Sequence, residues 1–236
     1  MRENHEILNR LKGGLIVSCQ ALENEPLHSA FIMGRMAYAA MLGGASGIRA
    51  NTPEDILAIR AEVPLPVIGL HKRVFPDCGV FITPTMEEVV GLVGCGADII
   101  AMDATDRLRP DGSTIELFFR KARDRYPEQL FMADVSTAEE GLAAEAMGFD
   151  LVGTTLSGYT PYTQERPLPD FALIRRLSSV LRVPLVAEGG IWTPEELRRA
   201  FNEGAFSAVV GTAITRPMEI TRRFASALPS RVDPAR

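Results

Sequence analysis

Two apolar runs that stop at glycine carry the first chemical signal in this chain: Val186-Ala187-Glu188-Gly189-Gly190-Ile191 and Val209-Val210-Gly211-Thr212-Ala213. Glycine has no Cβ, so the backbone can turn sharply and approach a ligand closely. Two such strand ends side by side present free N–H groups that cradle a phosphate. The first run also sets a carboxylate, Glu188, at its tip, within a few residues of that grip. A second signal is Lys72, which closes the apolar stretch Pro66-Val67-Ile68-Gly69-Leu70-His71-Lys72. A lysine at a buried strand end loses hydration, which lowers its pKa, and a neighbouring cation such as Arg49 acts in the same sense. A neutral amine near pH 7 serves as a general base or forms a Schiff base. The alternatives are a lysine that extends to the rim of the fold or one that pairs with an anionic ligand.

Gln20, Arg49, Asp103, Asp134, Thr154 and Thr155 also close apolar runs, each in a different part of the chain. A fold that gathers strand ends would bring them to one mouth beside Lys72 and Glu188. The competing reading of any one of them is an ion-pair ring that closes the fold. His71 is adjacent to Lys72, so on a strand it points to the other side. His5 and His28 have no partner at metal spacing. With three histidines and no His/Cys cluster, no metal site is expected. Met33-Gly34-Arg35-Met36 reads as helix packing, and Trp192 as a residue packed under the phosphate loop. Tyr159 and Tyr162 lie in the Pro- and Thr-rich stretch 157–167, either a lid or surface decoration.

The elements that must position these residues repeat along the chain. Apolar runs rich in Val, Ile and Leu occur at 14–20, 47–50, 66–72, 98–104, 130–135, 151–156, 184–188 and 207–212. Most lack strict alternation, as parallel strands buried on both faces do. Between them, Thr52-Pro53, Thr83-Pro84 and Thr193-Pro194 read as a hydroxyl cap followed by a first-turn proline. Thr85-x-x-Glu88, Thr137-x-x-Glu140 and Thr193-x-x-Glu196 match the capping box. Gly96, Gly148 and Gly204 each precede the next apolar run, where a left-handed glycine ends a helix. Strand and helix alternating eight times predict an α/β chain folded as a single (β/α)₈ TIM barrel, with its phosphate-binding site at the C-terminal strands. A doubly wound open sheet would want a G-x-G-x-x-G turn after its first strand, whereas Gly13-Gly14 precedes that strand. The expected layout is an N-terminal extension at 1–10, the barrel at 11–228 and a flexible tail at 229–236.

Length and composition set outer limits. The chain has 236 residues, enough for one such barrel with its own core. Its net charge of -5 argues against nucleic acid as the main partner. Cys19, Cys78 and Cys95 show no C-x-x-C spacing and read as reduced thiols of a cytoplasmic protein. No charged-then-apolar leader opens the chain and no run is long enough for a membrane span.

Ser18-Cys19-Gln20, Gly47-Ile48-Arg49-Ala50, Gly69 to Arg73 with Phe81-Ile82-Thr83-Pro84-Thr85, Asp103-Ala104-Thr105, Ala133-Asp134-Val135-Ser136-Thr137 and Ala187-Glu188-Gly189-Gly190 occur in this order. Together, over nearly the whole chain, they resemble the N-acetylmannosamine-6-phosphate 2-epimerases of bacterial sialic acid breakdown. The resemblance implies a barrel that acts as a homodimer on an amino sugar phosphate, with no metal or other cofactor, in line with the absence of a nucleic-acid or membrane partner expected from charge and run length. It implies epimerisation at C2, with Lys72 as the catalytic lysine and Glu188 as the second acid/base. Gln20, Arg49 and Asp134 match substrate-contacting positions, to which the strand-end Thr155 is added. Arg216 matches the phosphate site together with Gly190, Gly211 and the adjoining Thr212. His71 departs from the pattern, which has an aliphatic or aromatic residue before the lysine. The rival assignments are another phosphate-binding barrel enzyme, such as a lysine-dependent aldolase or a different epimerase, and a sugar-phosphate-binding protein without turnover. Pentose-phosphate epimerases need strand-end histidines that this chain lacks, and a protein without turnover need not keep Lys72 and Glu188 together.

Overall fold

The structure, a computed structural model, describes residues 2–229. Among them eight strands run in order: β1 (Leu15–Cys19), β2 (Gly47–Asn51), β3 (Val67–Leu70), β4 (Ile99–Asp103), β5 (Leu130–Asp134), β6 (Leu151–Gly153), β7 (Leu185–Ala187) and β8 (Ser207–Val210). All pair in parallel with their sequence neighbours, and β8 returns to β1, so the sheet is a closed barrel. Closure excludes the open doubly wound sheet. Helix α1 (Arg2–Leu11) precedes the barrel. Between successive strands lie α2 (Ala30–Leu42), α3 (Pro53–Glu62), α4 (Met86–Gly94), α5 (Ile115–Arg125), α6 (Ala138–Met147), α7 (Phe171–Ser178) and α8 (Pro194–Asn202). After β8 come α9 (Thr212–Thr215) and α10 (Pro217–Ala225).

Alternation along each strand sorts the side chains into two cores. Ile16, Ile68, Ile99, Leu130, Leu151, Val186 and Val209 pack together in the barrel interior. Val17, Ile48, Val67, Ile100, Phe131, Val152 and Leu185 pack against the helices instead. Since successive strand residues point to opposite faces, the interior positions continue as Ile16, Ser18 and Gln20. The same parity carries Leu70 to Lys72, Met132 to Asp134 and Val186 to Glu188. Arg49 falls between the outward Ile48 and Ala50 and therefore enters the barrel. Helix α1 lies where the sequence suggests an extension, and its Leu11, fully buried, joins the interior cluster with Ile7 and Leu8.

The local helix signals hold in most places. Capping boxes form at Thr85/Glu88, Thr137/Glu140 and Thr193/Glu196. Thr52 accepts from the Asp55 N–H, with Pro53 in the first turn. Gly96, Gly148 and Gly204 all take positive φ after their helices. Thr83-Pro84 is the exception: α4 starts at Met86, with Thr85 as its cap. Thr83 instead donates to Ala101 O at 2.6 Å and accepts the His71 N–H at 3.3 Å. It fastens the loop after β3 across to β4. The expected tail falls, beyond Pro229, outside the described residues.

Candidate active site

Arg49 forms the floor of the site. It is 1% exposed and its two terminal nitrogens reach Asp134 at 3.1 and 2.5 Å. Nη1 also lies 3.0 Å from Glu188 Oε2. A buried charge costs several kcal/mol unless it is paired and hydrogen-bonded, and here one cation faces two carboxylates. Burial opposes the guanidinium charge, but Asp134 and Glu188 outweigh it and hold the Arg49 pKa above its ordinary value. Thr155 Oγ1 lies 2.6 Å from Asp134 Oδ1 and 3.2 Å from Glu188 Oε2. Its single proton serves one carboxylate at a time, and the shorter contact is with Asp134.

Lys72 sits two residues past β3, where it bridges Ile82 in an antiparallel pair. Its N–H donates to Asn51 Oδ1 at 2.8 Å. Arg109 fastens the far side of that bridge by donating to the carbonyls of Thr83, Pro84 and Asp103. Burial, reinforced by Arg49, pulls the Lys72 pKa down to about 8, against the opposing pull of Glu188. Glu188 moves the other way. Burial, with the Asp134 charge, raises its pKa despite Arg49 and Lys72. The backbone of Glu188 is fixed to Thr154, which accepts its N–H at 3.0 Å and donates to its carbonyl at 2.8 Å.

The other end of the cavity is built from the two glycine turns. Gly190 has φ 72°, and a Cβ there would come within 2.5 Å of Leu168 Cβ. Gly211 ends β8 and caps α9, and its carbonyl receives the N–H groups of Ile214 and Thr215. Thr215 Oγ1 donates to Ser18 O at 2.7 Å, tying this turn to β1. Arg216 follows, with Nη2 3.2 Å from Glu25 Oε1.

Lys72, Glu188, Gln20, Arg49 and Thr155 thus line one cavity of about 450 Å³, together with Gly190, Gly211, Thr212 and Arg216. That volume lies in the range of small-molecule sites. Asp134 lies behind this wall, 0% exposed, and acts on the cavity through Arg49 and Thr155. Asp103 does not join it: its carboxylate pairs with Arg107 at 2.7 Å and accepts from Thr105. His71 is absent from the lining, as strand parity requires. Gln20 donates to Ser18 Oγ, while its Oε1 is buried and lacks a protein donor. Of the two loop tyrosines, Tyr159 is 57% exposed at the cavity mouth. Tyr162 is drawn away from it to Glu140. Ser157 bonds Asp170, and Arg166 bonds the Ser136 carbonyl, so this stretch is fastened to the barrel at several points.

Two contributors escape a reading of the sequence. Asn51 lies one residue past the expected end of its strand, and Glu25 lies in a polar loop with no motif around it. A polar residue closing a buried run was a usable signal for Asn51. For Glu25 none exists, because its partner is 191 positions away. Among the described residues, no group of three or more His, Cys, Asp or Glu side chains is placed to hold a metal ion, and no helix is long and apolar enough to cross a membrane.

Residues 33–230 match a family model described as "Putative N-acetylmannosamine-6-phosphate epimerase". The chain is 56% identical over 226 residues to a protein of Caldanaerobacter subterraneus described as a "Putative N-acetylmannosamine-6-phosphate 2-epimerase", covering 96% of this chain and 95% of the relative. A protein of Enterobacter sp. (strain 638) with the same description is 54% identical, covering 94% of this chain and 95% of the relative. Among solved structures, the chain is similar to the N-acetylmannosamine-6-phosphate 2-epimerase from Clostridium perfringens. The two share 50% identity with a TM-score of 0.90, covering 94% of this chain and 96% of the other.

Proposed function

The chain belongs to the N-acetylmannosamine-6-phosphate 2-epimerase family, and from that premise we infer how its cavity works. The enzyme interconverts N-acetylmannosamine 6-phosphate and N-acetylglucosamine 6-phosphate by removing the proton on C2 and returning it on the opposite face. In the open-chain sugar, C2 lies next to the C1 aldehyde, so loss of its proton gives an enolate with the charge on O1.

Lys72 is the base in this proposal. A general base works best with a pKa near the operating pH, and Lys72 is held near 8 by burial and by Arg49. Glu188, with its raised pKa, is the complementary acid. As the ring opens its carboxyl donates a proton to O5 and takes up the O1 hydroxyl proton, and the reverse transfer closes the ring. Arg49 meets the charge on O1, since fixed donors aimed at a developing oxyanion commonly supply the largest part of catalysis. Asp134 keeps Arg49 in place by its two-pronged bond. Gln20, which lines the cavity, holds the acetamido group or a sugar hydroxyl through its side-chain amide. Gly190, Gly211, Thr212 and Arg216 grip the 6-phosphate, which fixes the distance from that handle to C2.

The observation that carries this reading is that Lys72 and Glu188 line one cavity with Arg49, which lies 3.0 Å from Glu188; burial lowers the Lys72 pKa and raises that of Glu188. In this reading Lys72 and Glu188 share one mobile proton. Lys72 neutral with Glu188 protonated carries the same net charge as the two ions. The site therefore reaches its working state by moving a proton, without taking up or releasing one. Proton NMR of N-acetylmannosamine 6-phosphate with the enzyme in heavy water tests it. Deuterium at C2 of both epimers is expected. A stable adduct on Lys72 after borohydride treatment would point instead to imine chemistry and the aldolase class. We further propose a cytoplasmic homodimer, for which the resemblance to the family is the support. Analytical ultracentrifugation checks it, and a monomer at micromolar concentration would refute it.

A further inference from the structure

We propose that Glu25 is a positioning residue for the phosphate anchor: it holds the Arg216 guanidinium extended across the mouth before substrate arrives. This rests on Arg216 being that anchor. Arg216 stands at the junction of α9 and α10, and its side chain has two surroundings. It lines the main cavity, and together with Glu25 it also lines a separate, mostly apolar recess of about 140 Å³. Apart from Gln20, Glu25 and Thr215 its walls are apolar, so it packs the arginine stem and leaves Glu25 as the partner of the charge. A long side chain with such freedom loses rotamer entropy on being fixed.

Glu25 is built to bear that cost in advance. One carboxylate oxygen, Oε2, accepts the Leu22 N–H at 2.9 Å, and the other lies 3.2 Å from Arg216 Nη2. The loop that carries it is itself fastened. Glu25 N–H donates to Leu22 O, His28 N–H donates to Glu25 O, and the His28 ring bonds Ala21 O at 3.0 Å. The carboxylate is therefore a fixed post. A guanidinium has five donors in a rigid fork, so one contact with Glu25 leaves others for phosphate oxygens. The post also has a chemical consequence. A phosphate dianion satisfies the remaining donors strongly enough to bind beside a carboxylate, whereas a neutral hydroxyl at C6 offers no such attraction. Any gain in selectivity for the phosphorylated sugar therefore comes from Arg216 being held ready, and it must exceed the repulsion between the Glu25 carboxylate and the phosphate.

The test is competitive inhibition by inorganic phosphate, measured with substrate kinetics on wild type, Glu25→Gln, Glu25→Asp and Arg216→Met. Glu25→Gln should raise KM for the phosphorylated substrate and Ki for phosphate together, each about ten-fold, with kcat within about two-fold of wild type. Glu25→Asp should recover part of the loss. With the unphosphorylated sugar as substrate, kcat/KM of Glu25→Gln should match wild type. A phosphate Ki that falls or stays constant in Glu25→Gln, while rising in Arg216→Met, would overturn the proposal and leave the anchor standing. An unchanged Ki in Arg216→Met would remove the anchor itself.

Discussion

At the scale of single residues, the site is an electrostatic arrangement in which each side chain matters through its neighbours. Replacing Lys72 by Met should reduce kcat by about 10³-fold or more, as expected for loss of a catalytic base whose work no nearby group can take over. The same change should make the protein more stable at pH 7. Lys72 in the fold titrates at about 8, below its ordinary 10.5. Below about pH 8 the fold bears the full cost of burying its charge, and that cost declines as pH rises towards 10.5. The gain from Lys72→Met should be about 1–2 kcal/mol at pH 7, allowing for partial exposure to solvent, and should vanish above pH 10.5. Denaturant melts at three pH values check it. In wild type, kcat/KM should be bell-shaped in pH, because adding a proton removes the base and removing the last one removes the acid. Both limbs belong to the coupled pair. Glu188→Gln should abolish the alkaline fall and leave a single rise. That rise should lie below wild-type Lys72, since Glu188 supports the lysine charge.

Elements decide whether those side chains meet. Lys72 is aimed by a short antiparallel bridge to Ile82 and by Asn51, which takes its N–H. Asn51→Ala should lower kcat about ten-fold with little change in KM and cost about 1–2 kcal/mol of stability. Gly190→Ala should act at the other end. Its φ is 72° and its Cβ would meet Leu168, so KM should rise and stability should fall by roughly 1–3 kcal/mol. Much of this scale is legible from sequence. Capping boxes are written in four residues, so Thr85, Thr137 and Thr193 mark helix starts without tertiary help. Thr83-Pro84 looks like a start and is not, because Thr83 is recruited by Ala101 and His71, partners that no local window contains. Strand ends are likewise set by where pairing stops. Lys72 and Glu188 follow the apolar runs they seem to close by one or two positions beyond the paired strands.

The whole barrel does what no segment can: it brings strand tips from across the chain to one mouth. Eight repeated units made the closed sheet readable, and strand parity then put Gln20, Lys72, Asp134 and Glu188 on the inside. The sequence could not reveal that Asp103 pairs with Arg107 away from the mouth, or that Glu25 reaches Arg216. Those depend on loop paths. The molecule carries a net charge of -5, and in the proposed mechanism a dianionic sugar meets the local field of Arg49, Lys72 and Arg216, which line one cavity. Such a local field is screened by salt within about 10 Å at 0.1 M. KM should therefore rise roughly two- to five-fold between low and 0.5 M ionic strength while kcat holds. The central claim is that Lys72 moves the C2 proton. Its most direct test is solvent exchange at C2, followed by proton NMR in heavy water with Lys72→Met beside wild type. Wild type should place deuterium at C2 of both epimers, and folded Lys72→Met should place none on the same timescale. Exchange by Lys72→Met at the wild-type rate would contradict the account.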